Sequence, residues 1–555
     1  MAQQQPSSGQ EIVQAPEPVP SPVYILDPHA NRVREEDIDL SHTVGKFPTW
    51  QTVREALGSR SGWLGDYDYG FLCMPTLPGF TVPKIPPFFG LKDRLPLVLA
   101  IIMGFQHALA MIAGVVTPAI IMSGSGVNGL NFPPAMRTQM VSTSLITSGL
   151  LSLVQITRFR LFRSNYFLGT GLLSVVGTSF IFLPVLQSSV ADMYASGFCT
   201  SSKDASGFTT YDPCPQAWGA FLGTCMMCSF LPICLSFLPP KVLKKVFPPI
   251  VTGVTVLLIG VHLVDSVVIG LVVGMIVAIT LGYTDSSSVD ASPTVTFLWV
   301  KTYKYGIYPP AIIPLLITYT LAMVESIGDI TASCEVSHQP VEGRAFESRL
   351  QGGILADGIA GTLAPLFFNS PMSCYAQNNG IISLTRCANT MAGYMCCFFL
   401  VLMGVFSKFG ALFLMLPDAV LGGMTTFLFA SVVVSGVRIL SFLKWTRRER
   451  FIVATALTLG LGTSLVHGVF TKMFHYNGDN SFVKSLISSA NIVLDTGFAL
   501  GAIVSCLLNA LLPEVAPMAA EPIIDRHGPN PTNKEIEDMQ VEAQSIHESM
   551  LSVKH

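Results

Sequence analysis

The sequence predicts an all-α polytopic membrane protein, and three observations carry that class. Half of its 555 residues are hydrophobic and only 12% are charged, where a soluble domain carries about 25% charged residues. The mean hydropathy is +0.54. Apolar runs long enough to cross about 30 Å of hydrocarbon recur between residues 95 and 512, while charges concentrate near the two ends and in short loops. A net charge of −3 gives no reason to expect nucleic acid as a partner; the expected surroundings are a lipid bilayer.

Residues 1–94 are polar and partly acidic (Arg34, Glu35, Glu36, Asp37, Asp39) with no secretory leader, and read as a cytosolic tail. Apolar runs then occur near 95–122, 138–156, 166–189, 215–238, 246–282, 308–333, 348–368, 372–389, 391–415, 418–442, 451–471 and 491–512. From Pro513 the chain reads as soluble again, with a short helix expected around Lys534–Asp538. Basic residues orient the spans. Lys92 and Arg94, Arg158, Arg160 and Arg163, Lys241, Lys244 and Lys245, Arg344 and Arg349, and Lys444, Arg447, Arg448 and Arg450 all fall on one side, read as the cytosol with both termini. The loops at 123–137 and 195–214 are nearly free of Lys and Arg and read as outside. Of 12 cysteines, Cys199 and Cys214 share that polar outer loop, where a disulfide and free thiols are both open. Cys225 and Cys228 have redox spacing, but inside an apolar helix they read as buried core thiols.

The middle of the chain breaks the pattern. From Pro249 to Tyr283 no polar turn intervenes, only His262 and Asp265. This run is too long for one ordinary span and lacks a loop for two. Parity fails as well. The chain is outside after about residue 264 and must be outside again at Tyr308, yet only the apolar segment 265–282 lies between. About one helix with its loops is expected to be missing; a re-entrant segment is the alternative.

Ionisable and amide groups inside spans are costly and mark functional positions. Glu325 and Asp329 lie four residues apart, on one helical face, either as a proton-carrying pair or as a fastening between helices. Asp357 is a third carboxylate, anchoring or functional. His107 lies mid-span and reads first as a satisfied structural histidine able to bridge to a polar group. Gln377, Asn378 and Asn379 are three consecutive amides followed by Gly380, a pattern that suits a broken helix lining a site. Gly177-Thr178-Ser179-Phe180, after Gly169 and Gly171, reads as extended backbone with Phe180 offering either core packing or a flat stacking face. No paired nucleophile and base, phosphate loop or metal spacing is present, so neither an enzyme nor a cofactor is expected.

Gln377-Asn378-Asn379-Gly380-Ile381-Ile382-Ser383-Leu384-Thr385-Arg386 resembles the signature of the nucleobase–ascorbate transporter family: Gln, Glu or Pro, then Asn, any residue, Gly, four more, Thr, and Arg, Lys or Gly. The resemblance runs from about Trp63 to Pro513. It includes Gln106-His107-Ala108-Leu109-Ala110, Glu325-Ser326-Ile327-Gly328-Asp329 and Gly422-Gly423-Met424-Thr425-Thr426. Glutamine at the opening position, and the string Ala376-Gln377-Asn378-Asn379-Gly380, resemble the fungal uric acid–xanthine permease branch. The resemblance implies two inverted seven-helix repeats with core and gate domains, two broken helices with short strands, homodimers, an elevator motion and proton symport at the plasma membrane. Residues 95–240 and 308–415 would form the core, 241–307 (shortened) and 416–512 the gate, and 513–555 a cytosolic tail. Carried over, Glu325 and Gln377 would bind the purine edge, Phe180 would stack, and Ser179 and Ala376 would supply backbone groups. Asn378, with His107, Asn379, Gly380, Thr385 and Arg386 would hold the signature's geometry. Asp329 and Asp357 would support coupling, with the proton as coupling ion, and Thr496 and Phe498 would filter substrates at the gate. The leading expectation is a proton-coupled xanthine and uric acid symporter. A broader carrier of hypoxanthine, adenine or uracil, and a non-transporting or defective member with a shortened middle, stand beside it.

Overall fold

The computed structural model describes residues 87–161, 166–203, 209–239, 250–258, 304–375, 377–409, 445–466 and 481–513, with scattered residues between them and in 54–69. The expectations for the N-terminal tail, the run beyond residue 258, Ala376, Gly422–Thr426 and the tail after Pro513 lie outside these residues.

Helices dominate. Leu97–Ser123 (α1), Pro134–Ile156 (α2), Pro215–Ser236 and Pro309–Val336 are each long and apolar enough to cross a membrane, and a bent pair near the C-terminus makes up to five such spans among the described residues. The chain is a multi-pass membrane protein. α1 contains Pro118. α2 carries a buried line of Ser144, Ser148 and Ser152, whose spacing of four places them on one face.

After α2 the chain turns through the hairpin of β1 (Phe159–Arg160) and β2 (Phe167–Leu168). Gly169, at φ +90°, takes it back against α2, where a Cβ would stand 2.6 Å from the Val154 carbonyl. The run at 166–189 is therefore no continuous span. It becomes β3 (Val176–Thr178) followed by α3 (Phe182–Ala195). The run at 372–389 divides the same way, into β6 (Met372–Cys374) and α8 (Gln377–Thr385). β3 and β6 pair antiparallel, Val176 opposite Cys374, Gly177 opposite Ser373 and Thr178 opposite Met372. The helices leave opposite ends of this pair. α3 has 14 residues, about 21 Å at 1.5 Å each, so it reaches only partway across the hydrocarbon.

Two strands do not satisfy each other's outer edges, and hydrocarbon offers no partner. The serine line of α2 supplies one. Ser152 Oγ accepts the Val176 amide at 2.8 Å, and Ser148 Oγ donates to the Val176 carbonyl at 2.5 Å. Gln155 Nε2 lies 2.7 Å from Cys374 Sγ.

Between the half-helices come the hairpin β4 (Ser201–Lys203) and β5 (Thr209–Tyr211), α4 (Pro215–Cys228), α5 (Phe230–Ser236), α6 (Ile312–Val336) and α7 (Gly343–Leu366). A Cys199–Cys214 disulfide closes the hairpin loop, settling the two open readings of that pair. Cys225 and Cys228 are buried, unbridged thiols, as expected. Tyr319 on α6 donates between the carbonyls of Cys225 and Gly361, each 3.0 Å away, and so ties α6 to α4 and α7.

α8 ends at Thr385, and Arg386 follows at φ +55°. The segment before α1 is strapped to this turn. Phe89 N donates to the Arg386 carbonyl and Ala388 N to the Phe89 carbonyl, both at 2.9 Å. Asn389 caps α9 (Thr390–Val405) through Met391 N and donates to the carbonyls of Gly90 and Asp93. α9 lies against α2 with reciprocal glycines. A Cβ at Gly149 would stand 2.8 Å from the Cys397 carbonyl, and one at Gly404 2.8 Å from Ile146 N. Such small residues let membrane helices approach closely.

The last apolar run, expected as one span over 491–512, is two helices. After α10 (Arg447–Leu465) come α11 (Ser481–Asp495) and α12 (Gly497–Leu511), bent by 89°. Thr496 is extended, Asp495 Oδ1 accepts Phe470 N at 3.1 Å, and a Cβ on Gly497 would lie 2.3 Å from the Gly460 carbonyl. Close seating of Gly497 on α10 turns the chain.

Replacing Ser152 by Ala leaves the Val176 amide buried without its acceptor, at about 1–3 kcal/mol. Thermal unfolding in detergent is expected to move to lower temperature; an unchanged midpoint would show that the hydroxyl does not support the strand. At Arg386 the left-handed backbone favours glycine. Arg386→Gly is expected to yield monodisperse protein by size exclusion and Arg386→Val aggregate, and equal behaviour of both would refute the conformational requirement.

Candidate functional site

The three amides that open α8 have different surroundings. Asn378 is fully buried. Its Nδ2 donates to the Leu173 carbonyl, which turns Oδ1 toward His107 Nδ1, 2.8 Å away. An amide oxygen only accepts, so Nδ1 carries the imidazole proton and Nε2 is the bare acceptor. Asn379 Oδ1 accepts Ser333 Oγ at 2.6 Å, and its Nδ2 is 3.4 Å from the Asp329 carbonyl. Two amides therefore fasten α8 to α1, to the chain entering β3 and to α6. Gln377 differs: its Oε1 is buried with no hydrogen-bond partner.

The carboxylates separate similarly. Glu325 is half-buried, and among the described residues its carboxylate makes no hydrogen bond. Asp329 is 2% exposed, and its Oδ2 has no partner. Asp357 is engaged: it accepts Ser326 Oγ, and Cys374 N and Sγ both at 3.3 Å, so it holds the end of β6 against α7.

At the other half-helix, Ser179 N donates to the Pro371 carbonyl at 3.0 Å, continuing the strand pairing. Thr178 Oγ1 and Ser179 Oγ are buried without partners. Phe180 is 7% exposed and belongs to the main apolar cluster. Unpartnered buried polar atoms therefore occur at the start of α8 (Gln377 Oε1) and where β3 ends (Thr178 Oγ1 and Ser179 Oγ), as well as on α1 (His107 Nε2) and α6 (Asp329 Oδ2). A buried polar atom without a partner costs about 1–3 kcal/mol. A polar ligand carrying both donors and acceptors is what such a set can hold.

The remaining signature positions serve the backbone. Around Gly380 the Cβ position meets nothing within 4 Å, so packing within the chain does not demand glycine there. Thr385 Oγ1 donates to the Ile381 carbonyl at 2.8 Å. Arg386, in the left-handed region, accounts for a signature that admits glycine at its last position. Thr496 and Phe498 are buried at the α11–α12 bend, and Thr496 Oγ1 donates to the Ile492 carbonyl. Phe498 belongs to the same apolar cluster as Phe180. Sequence reasoning missed Ser148, Ser152, Ser326, Ser333 and Tyr375. Hydroxyls at four-residue spacing within an apolar span were the available signal for the first two.

A family model described as a permease family matches residues 99–268 and 265–469, two stretches that meet at 265–268. A purine permease of Emericella nidulans is 45% identical over 525 residues, covering 83% of this chain and 89% of the relative. A uric acid–xanthine permease of the same organism is 42% identical over 518 residues, covering 82% and 89%. The transmembrane domain of a cyanobacterium bicarbonate transporter, BicA, covers 66% of this chain and 96% of its own at a TM-score of 0.42 and 12% identity. These relatives are transporters rather than enzymes, and the chain belongs to the nucleobase–ascorbate transporter family of permeases.

Proposed function

We propose that this chain is a proton-coupled symporter that carries xanthine and uric acid across the plasma membrane into the cytosol. The observation that carries the reading is Gln377 Oε1, buried and unpartnered beside the strand pair while Asn378 and Asn379 are engaged. Xanthine and uric acid present adjacent N–H and C=O groups around a flat ring. A carboxamide and a carboxylate, Gln377 and Glu325, offer matching acceptors and donors. The names of the relatives support purines as the substrate class. In this reading Phe180 stacks on the ring, Ser179 and Ala376 contribute backbone groups, and Asp329 takes part in coupling. Residues 95–240 and 308–415 move as a core against a gate of 241–307 and 416–512, in a homodimer with both termini cytosolic. Thr496 and Phe498 act at the gate.

A second reading has its own support. The two stretches matched to the family overlap at 265–268, close to where the sequence is expected to lack about one apolar segment. The alignment with the purine permease extends over 525 positions, yet 83% of 555 residues is only about 460. The relative therefore has about 65 positions that this chain does not fill, room for a span of about 20 residues with its loops. A gate lacking one crossing would leave a chain that binds purine without cycling.

Uptake of radiolabelled xanthine by a permease-null fungal strain carrying this exact chain with a fluorescent tag separates the two. Saturable uptake abolished by a protonophore is expected for the symporter. Absent uptake with the tag at the cell surface supports the shortened, non-cycling member. If uptake is present, Gln377→Ala is expected to raise KM about tenfold or more, since a buried hydrogen bond is lost. Glu325→Gln is expected to abolish transport with the tag still at the cell surface. Wild-type kinetics in both variants would remove these residues from the site.

A further inference from the structure

Tyr375 lies between β6 and α8 and is 5% exposed. Its backbone N donates to the Val175 carbonyl at 3.0 Å, which extends the strand pair by one residue. Its hydroxyl stands 2.7 Å from two carbonyls, those of Gly114 on α1 and Thr178 at the end of β3. The ring occupies space that only glycine leaves. A Cβ at Gly114 would be 2.9 Å from it and one at Gly177 2.5 Å.

The Gly114 carbonyl has a specific need for this hydroxyl. In an α-helix it would accept the N–H of the residue four positions on, and that residue is Pro118, which has none. Pro118 leaves the carbonyl without its helical donor in a buried setting. Tyr375 supplies a donor from another part of the chain. Its oxygen carries a single proton, so the two carbonyls share it. A phenylalanine would pack as well; the hydroxyl is what requires explanation.

We propose that Tyr375 is a positioning residue for substrate selection. Its hydroxyl replaces the donor missing at Pro118 and pins the chain entering α8 both to α1 and to the end of β3, from which the chain runs on to α3. The pin sets the separation of the two half-helices, and with it the width of the slot between Gln377 and the Ser179–Phe180 backbone. The selectivity part rests on the purine-transport reading; the pin does not.

The test is a double-mutant cycle on the full chain in detergent. Pro118→Ala restores an N–H to the Gly114 carbonyl, so Tyr375→Phe is expected to lower the unfolding midpoint several degrees less in the Pro118→Ala background than in the wild type. Equal shifts in both backgrounds overturn the pin. In cells, Tyr375→Phe is expected to raise the xanthine KM about fivefold or more with maximal uptake within about twofold, and to narrow the discrimination between xanthine and uric acid. A coupled cycle with wild-type KM and selectivity would reduce Tyr375 to a structural role and overturn the positioning claim. A wild-type chain that takes up no purine overturns the transport reading and with it the selectivity part, while the cycle still decides the pin.

Discussion

A polypeptide that is neither helix nor closed barrel has no solvent for its amides inside a bilayer, and the site is built around that constraint. β3 and β6 are three residues each and pair with one another along one edge only. Groups on their outer edges are met from elsewhere, those of Val176 by Ser148 and Ser152 and Cys374 N by Asp357, while Tyr375 N to the Val175 carbonyl and Ser179 N to the Pro371 carbonyl carry the pairing one residue past the strands. These donors and acceptors come from α2, α7 and the strand ends themselves. Each is a position where a change of one atom strands a buried backbone group, so the environment of the strands is specified much more tightly than an apolar core, which tolerates swaps of similar volume.

The same constraint separates structural from available polarity. Asp357, Asn378 and Asn379 look alike in the sequence to Glu325 and Gln377, since all are polar groups within apolar runs. Hydrogen bonds tell them apart. The first three are engaged by Ser326, Cys374, Leu173 and Ser333, whereas Gln377 Oε1 has no partner among the described residues. Leaving such an atom unpaired weakens the fold, and that cost is consistent with a site whose partner arrives from solution. His107 follows the same logic: one nitrogen is held by Asn378 and the other remains an acceptor.

Much of this was legible in the sequence because it is written in local chemistry. A run of amides before a glycine, carboxylates four apart and loops low in Lys and Arg are features of a few adjacent residues. The half-helix at 377–385 and the helical spacing of Glu325 and Asp329 follow from them. What escaped depends on partners distant in the chain. The serines of α2 register in hydropathy only as a less apolar span, and nothing nearby reveals that they face a strand some 25 residues later. The bend at Thr496 arises from Gly497 seating against Gly460, a contact across 37 positions. The role of Tyr375 needs Pro118, on another helix altogether.

The crossing that the sequence is expected to lack near 265 bears on this arrangement. Among the described residues, most hydrogen bonds that hold the half-helices run between 88–195 and 308–390, and Ser488 on α11 adds one to Asp192 on α3 at 3.3 Å. None of them reaches into 250–258, whose contribution near the site is a side-chain contact, Thr252 against Gly328 on α6. A missing crossing after 258 therefore removes no donor or acceptor from the strand pair, the amides or the carboxylates.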